Sequence, residues 1–269
     1  MEIPSLQDSP VTLDQIIGNL VLYLKSLQDD GVNEVSLEKL QMSKHLLPQA
    51  PSPEERMPRP GIKEPRAQVP DDPIAGKDLA AIASQIAACT RCSLHVTRTK
   101  TVPGQGQSHP DILFVGEGPG ADEDIQGLAF VGRAGQLLTR LITRMGYRRE
   151  DVFIANVVKC RPPENRKPLP EEMQACLPYL KAQITALNPK VIVTLGATAL
   201  EGITNATDRI AITRMRGKWL SYNDIPLMPT FHPSYLLRNQ SAMWDVWNDM
   251  LEVLKHLGRT PPPAPAKGK

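Results

Sequence analysis

Aromatic residues make up only 4% of this 269-residue chain, so any core must be built from aliphatic side chains, which the 41% hydrophobic content can supply. Long apolar runs are missing too. None reaches the roughly 18 residues a membrane-spanning helix needs. The opening MEIPSLQDSP has no basic stretch leading into an apolar segment, so the chain is expected to be cytoplasmic and to contact no membrane. Charge of one sign is also lacking. With 31 Lys and Arg against 29 Asp and Glu, the net charge of +2 neither demands nor forbids a polyanionic partner, and any nucleic-acid surface must come from local clustering. Cysteine is scarce, at four residues. In a reducing compartment these point to thiols or a metal centre rather than to disulfides. Neither G-x-G-x-x-G nor G-x-x-x-x-G-K-[ST] occurs, which argues against a dinucleotide or P-loop nucleotide site.

Proline, by contrast, is plentiful and uneven. Eight prolines fall between Pro48 and Pro73, a linker composition. Before it, Leu13, Ile16, Ile17, Leu20, Leu24 and Leu27 recur at helical spacing. Residues 1–47 therefore read as a short helical extension, too small to bury a core alone and available to a protein partner. The linker spans 48–76, a folded domain 77–258, and a disordered tail 259–269.

The centre of the domain is the stretch from Asp111 to Met145. Ile112, Leu113, Phe114 and Val115 form a short apolar run stopped by Gly116, Gly118, Pro119 and Gly120. The loop then carries Glu117, Asp122, Glu123, Asp124 and Phe130 before Leu137, Leu138, Leu141 and Ile142 resume at helical spacing. Further strands are expected over 152–158, 190–195 and 225–231, with helices over 77–88, from Pro170 and over 241–257. This alternation predicts an α/β fold, a three-layer sandwich around a central, mostly parallel sheet. Ligands bind outside the carboxyl ends of such strands, so Glu117, Phe130, Asn156 and His232 are expected to converge.

The cysteines fall as Cys89-x2-Cys92 and Cys160-x15-Cys176. The second spacing is too wide for a zinc knuckle, while a 4Fe-4S cluster accepts thiolates from scattered positions. Cluster, zinc and plain buried thiols all stay open at this point.

Taken together, CTRCSL, GEGPGADED, GLAFVGRAGQLL, NVVKCRPPENR, EEMQAC, VIVTLG, MRGKW and FHPSYLLRN resemble, in order and spacing, the family 4 uracil-DNA glycosylases, the iron-sulfur branch of their superfamily. The match covers about residues 84 to 257. The resemblance implies a uracil-DNA glycosylase-like fold and a monofunctional enzyme. It would flip uracil, the product of cytosine deamination, out of single- or double-stranded DNA and hydrolyse its N-glycosidic bond, starting base excision repair and leaving an abasic site. It also implies a 4Fe-4S cluster on Cys89, Cys92, Cys160 and Cys176, and a monomer.

Under this resemblance Phe130 stacks on uracil, Asn156 reads its N3-H and O4, and His232 donates to O2 as negative charge builds on the leaving base. Gly116, Gly118, Glu123 and Asn165 join Phe130 and Asn156 as substrate-binding residues. The superfamily often has a water-activating Asp where this chain has Gly118, so Glu117 is the first candidate for that role, with Glu123 and Asp124 as alternatives. Tyr235, Leu236, Leu237 and Arg238 are expected to meet DNA, an apolar side chain wedging into the gap left by the flipped base. Arg133, Lys159, Arg161, Arg166, Lys167, Arg214, Arg216 and Lys218 would add positive charge. Three rivals remain: a polymerase-associated module without catalysis, a variant that traps uracil covalently through a Lys-Arg-Arg-Ile-His insertion absent here, and a flavin or nucleotide reductase.

Overall fold

The computed structural model describes residues 74, 76–206 and 209–263. The expected extension over 1–47 and nearly all of the 48–76 linker lie outside these residues. A six-stranded sheet runs β1 (Gln105–Gly106), β3 (Phe153–Asn156), β2 (Ile112–Gly116), β4 (Val191–Leu195), β6 (Ile225–Thr230) and β5 (Leu220–Tyr222). The four central strands are parallel, and the two edge strands pair antiparallel. The register aligns Gly116 with Asn156, Val115 with Thr194 and Leu195 with Thr230, so three neighbouring pairs of strands end at one level.

Each face of the sheet carries a helical layer. Ile112 and Phe114 of β2 enter one core with Leu138, Leu141 and Ile142 of α3 (Arg133–Arg144) and Val246, Met250 and Val253 of α8 (Met243–His256). Leu113 and Val115 enter the other with Ile82 and Ile86 of α1 (Leu79–Ala87), Leu177, Leu180 and Ile184 of α4 (Pro170–Leu187), and Leu200 and Ile203 of α5 (Ala197–Thr204). The period of two along a doubly buried strand produces this division. Local chemistry sets the helix ends. Asp78 caps α1 by accepting from the Ala81 amide at 2.7 Å, and Pro170 starts α4, where its missing N-H costs nothing.

Three details differ from the expectations. The acidic run after Gly120 is not loop: Asp122, Glu123 and Asp124 form the first turn of α2 (Ala121–Gln126), where carboxylates suit the macrodipole. Strand β3 stops at Asn156, although the Val157 and Val158 amides still reach the Gly116 and Glu117 carbonyls. The β5–β6 hairpin was not foreseen; it turns on Asn223 and Asp224, both at positive φ. Two short helices complete the order, α6 (Ile212–Met215) and α7 (Pro233–Leu236). Among the described residues no helix is long and apolar enough to cross a membrane.

Candidate active site and thiol centre

Gly116, Phe130, Asn156 and His232 meet at the carboxyl ends of β2, β3 and β6. A Cβ on Gly116 would lie 2.4 Å from Asn156 Oδ1 and 2.5 Å from Phe130 Cζ, so only glycine allows the amide and the ring to approach across this strand end. The Phe130 and His232 rings stand 5.7 Å apart between centroids, tilted by 37°. Asn156 is 1% exposed, and its Oδ1 has no hydrogen-bond partner. A buried, unsatisfied acceptor of this kind costs about 1–3 kcal/mol unless a ligand supplies the donor. This acceptor lies beside the Phe130 ring, which suits a flat heterocycle bearing an N-H.

His232 caps α7. Its Nδ1 accepts from the Ser234 amide at 3.1 Å and lies 2.7 Å from Ser234 Oγ, which leaves the proton of the neutral ring on Nε2. Burial, with Arg238 nearby, pushes the imidazole from 6.5 down to about 4, so it is neutral at physiological pH.

Glu117 follows Gly116 directly. Burial raises its carboxyl above the ordinary 4.5, opposed by a hydrogen bond with Thr198 and by the charge of Lys167. The two alternative acids, Glu123 and Asp124, are committed to backbone. Glu123 Oε1 accepts from the Val131 and Gly132 amides at 2.8 and 2.9 Å, and its Oε2 from the Gly120 amide at 3.1 Å. Asp124 holds the Thr99 and Lys100 amides. Gly118 has no room for a side chain, because a Cβ there would fall 2.7 Å from Val158 Cγ2. An Asp at this position would require Val158 to move.

Several expected residues differ in burial and partners. Asn165 is exposed, at positive φ, and accepts from Arg161 Nε at 2.8 Å. Leu236 is 2% exposed and belongs to the core, whereas Tyr235 and Leu237 are 38% and 40% exposed, so of the expected apolar residues only those two are at the surface. The basic cluster thins as well. Lys159 is buried, Arg166 forks onto Glu172, Lys167 pairs with Glu201, and Arg216 pairs with Asp249. Arg133, Arg214, Lys218 and Arg238 remain exposed.

All four cysteines line one small hollow between the end of α1, the segment after β3 and α4. Among the described residues no group of three or more His, Cys, Asp or Glu side chains is arranged to chelate a single ion. Thiols spread around a hollow fit a polynuclear centre better. The surroundings are cationic and offer N-H donors to sulfur. Arg98 Nη1 donates to Cys160 Sγ at 3.2 Å, the Lys159 amide to Cys176 Sγ at 3.3 Å and the Arg91 amide to Cys89 Sγ at 3.5 Å. Burial pushes the Cys176 thiol up to about 12 and the buried Lys159 ammonium down to about 8; a metal bound to the thiolate would relieve the first, and net negative charge on the centre the second. Lys159 Nζ also donates to the Asn156 carbonyl at 2.7 Å, tying the hollow to the site.

Sequence reasoning missed Ser234, which fixes the His232 ring, and Thr198, which bonds Glu117; neither carried a local signal.

Residues 103–254 match the family model of the uracil DNA glycosylase superfamily. A type-4 uracil-DNA glycosylase of Thermotoga maritima is 53% identical over 163 residues, covering 60% of this chain and 83% of that protein. Counterparts bearing the same name in Archaeoglobus fulgidus and Saccharolobus solfataricus are each 41% identical, covering 67% and 68% of this chain and 94% and 88% of those proteins.

Proposed function

The chain belongs to the uracil DNA glycosylase superfamily, and we propose that its pocket receives a uracil flipped out of DNA and hydrolyses the bond from N1 to the sugar C1′. The observation that carries this reading is the buried, unpartnered Oδ1 of Asn156 beside the Phe130 ring. Uracil N3-H satisfies that acceptor, and the Asn156 amide N-H group can donate to O4. Cytosine presents a lone pair at N3 and an amino group at C4, so both contacts reverse.

The chemistry follows from where charge appears. As the N1–C1′ bond breaks, its electron pair moves into the uracil ring and O2 becomes negative. His232 Nε2-H donates there, and a neutral donor held in place needs no proton transfer. Water bonds to C1′ and gives up a proton toward Glu117, whose raised affinity for protons suits a base more than an ordinary surface carboxylate would. The products are free uracil and an abasic site.

Cys89, Cys92, Cys160 and Cys176 would hold a 4Fe-4S cluster, which when bound supplies a covalent tie between the end of α1, the segment after β3 and α4. Tyr235 and Leu237 take the wedge role, with Arg238 against the phosphates. All of these groups lie within the domain assigned to residues 77–258.

Release of uracil from an oligonucleotide with one dU, using protein purified without oxygen, tests the reading. Wild type is expected to excise uracil and leave matched C and T controls intact. His232→Ala should slow excision by about 10²–10³-fold. Asn156→Asp should lose uracil preference and gain cytosine release. Binding of dU DNA without excision would instead favour a non-catalytic module.

A further inference from the structure

Phe130 adopts φ 51°, a left-handed conformation that a bulky residue avoids. Such backbone persists only where neighbours over-determine it. The segment is held on both sides of the ring. Glu123 takes the two amides that follow it, those of Val131 and Gly132. The carbonyl that precedes it, Ala129 O, accepts from Arg149 Nη2, and Arg149 Nη1 is anchored on Thr139 Oγ1 of α3 at 2.8 Å. Behind it, Gly135 leaves room for the Phe130 carbonyl, since a Cβ there would sit 1.9 Å from that oxygen.

We propose that Arg149, outside every motif that carries the site, is a positioning residue that together with Glu123 clamps Ala129 to Gly132 and so presents the Phe130 ring to the flipped base. Arg149 is half-buried and its guanidinium spans α3 and the ring-bearing turn. Without it, the turn can relax toward an ordinary conformation, and the ring leaves its place beside His232 and Asn156. The inference rests on the reading that Phe130 stacks on uracil.

Single-turnover excision from dU DNA is to be measured for Arg149→Gln, Arg149→Lys and Phe130→Ala and for the double variant Arg149→Gln with Phe130→Ala. The expected result is excision slowed about tenfold in Arg149→Gln, the equivalent of relaxing strain of the usual size, with partial recovery in Arg149→Lys. In the Phe130→Ala background, removing Arg149 should cost no more than about twofold, because there is no ring left to hold. The same tenfold loss with and without the ring overturns the inference, as does an unaffected rate in Arg149→Gln. An unaffected rate in Phe130→Ala would instead overturn the stacking reading, which separates the two. Should Arg149→Gln fail to fold, Thr139→Val removes the guanidinium's anchor and enters the same cycle with the same expected pattern.

Discussion

At the scale of single residues, the site keeps groups in states that their ordinary chemistry opposes, and pH exposes this. Glu117 has a raised pKa, so the unfolded chain ionises it first, and folding loses stability as pH rises from 4.5 through the folded value. Glu117→Gln is therefore expected to raise Tm at pH 7.5, with the gain vanishing below pH 4.5, while excision falls by about 10²–10⁴-fold. Thermal melts across pH beside excision rates check both halves. His232 has the opposite slope. Its folded value of about 4 lies below the ordinary 6.5, so its contribution to stability is complete above 6.5 and lost as pH falls toward 4. In amount this is on the order of 3 kcal/mol. Replacing His232 by Gln should flatten the acid limb of the stability curve between those values.

Elements are held in register by buried polar braces that no pattern of hydrophobic residues announces. Asp249 on α8 accepts from Thr230 Oγ1 at the end of β6 and from Arg216, whose side chain is only 19% exposed and lies against the Phe231 ring. Burial raises Asp249 to about 6, against the pull of both partners. The strand that delivers His232 is thus fixed to α8 two residues before the site. Asp249→Ala leaves Arg216 only the more exposed Asp245 carboxylate and takes the acceptor from Thr230 Oγ1, and is expected to cost about 1–3 kcal/mol in urea unfolding, with excision lost alongside. Asp249→Asn, which keeps an acceptor, should cost less. On the opposite face the thiol hollow joins α1 to α4 and the segment after β3. Cys160→Ser is expected to lose bound iron and iron-sulfur absorption and to lower Tm, because the segment beyond Asn156 loses its tie.

At the scale of the whole molecule, several cations of the expected basic cluster are paired within the fold. Of the cations near the site, Lys159, Arg166, Lys167 and Arg216 serve the fold and Arg161 is taken up by Asn165, which leaves Arg133, Arg214, Lys218 and Arg238 for phosphates. The dependence of duplex binding on salt should therefore be no steeper than a slope of about −4. Lys218→Gln is expected to reduce the slope by about one, and Arg166→Gln to leave it unchanged. The sequence by itself determined the parallel α/β layering, through apolar strands stopped by glycine and alternating with amphipathic helices, and it brought Phe130, Asn156 and His232 to one sheet edge. The four cysteines are grouped by the family resemblance of the motifs around them, and the fold lines one hollow with all four. Only the tertiary structure decided which acids are free and which cations are exposed, that Leu236 is core, and that Arg149 and Glu123 brace the Phe130 turn. Those outcomes depend on side chains far apart in sequence meeting at hydrogen-bond range, and local periodicity carries no record of such meetings.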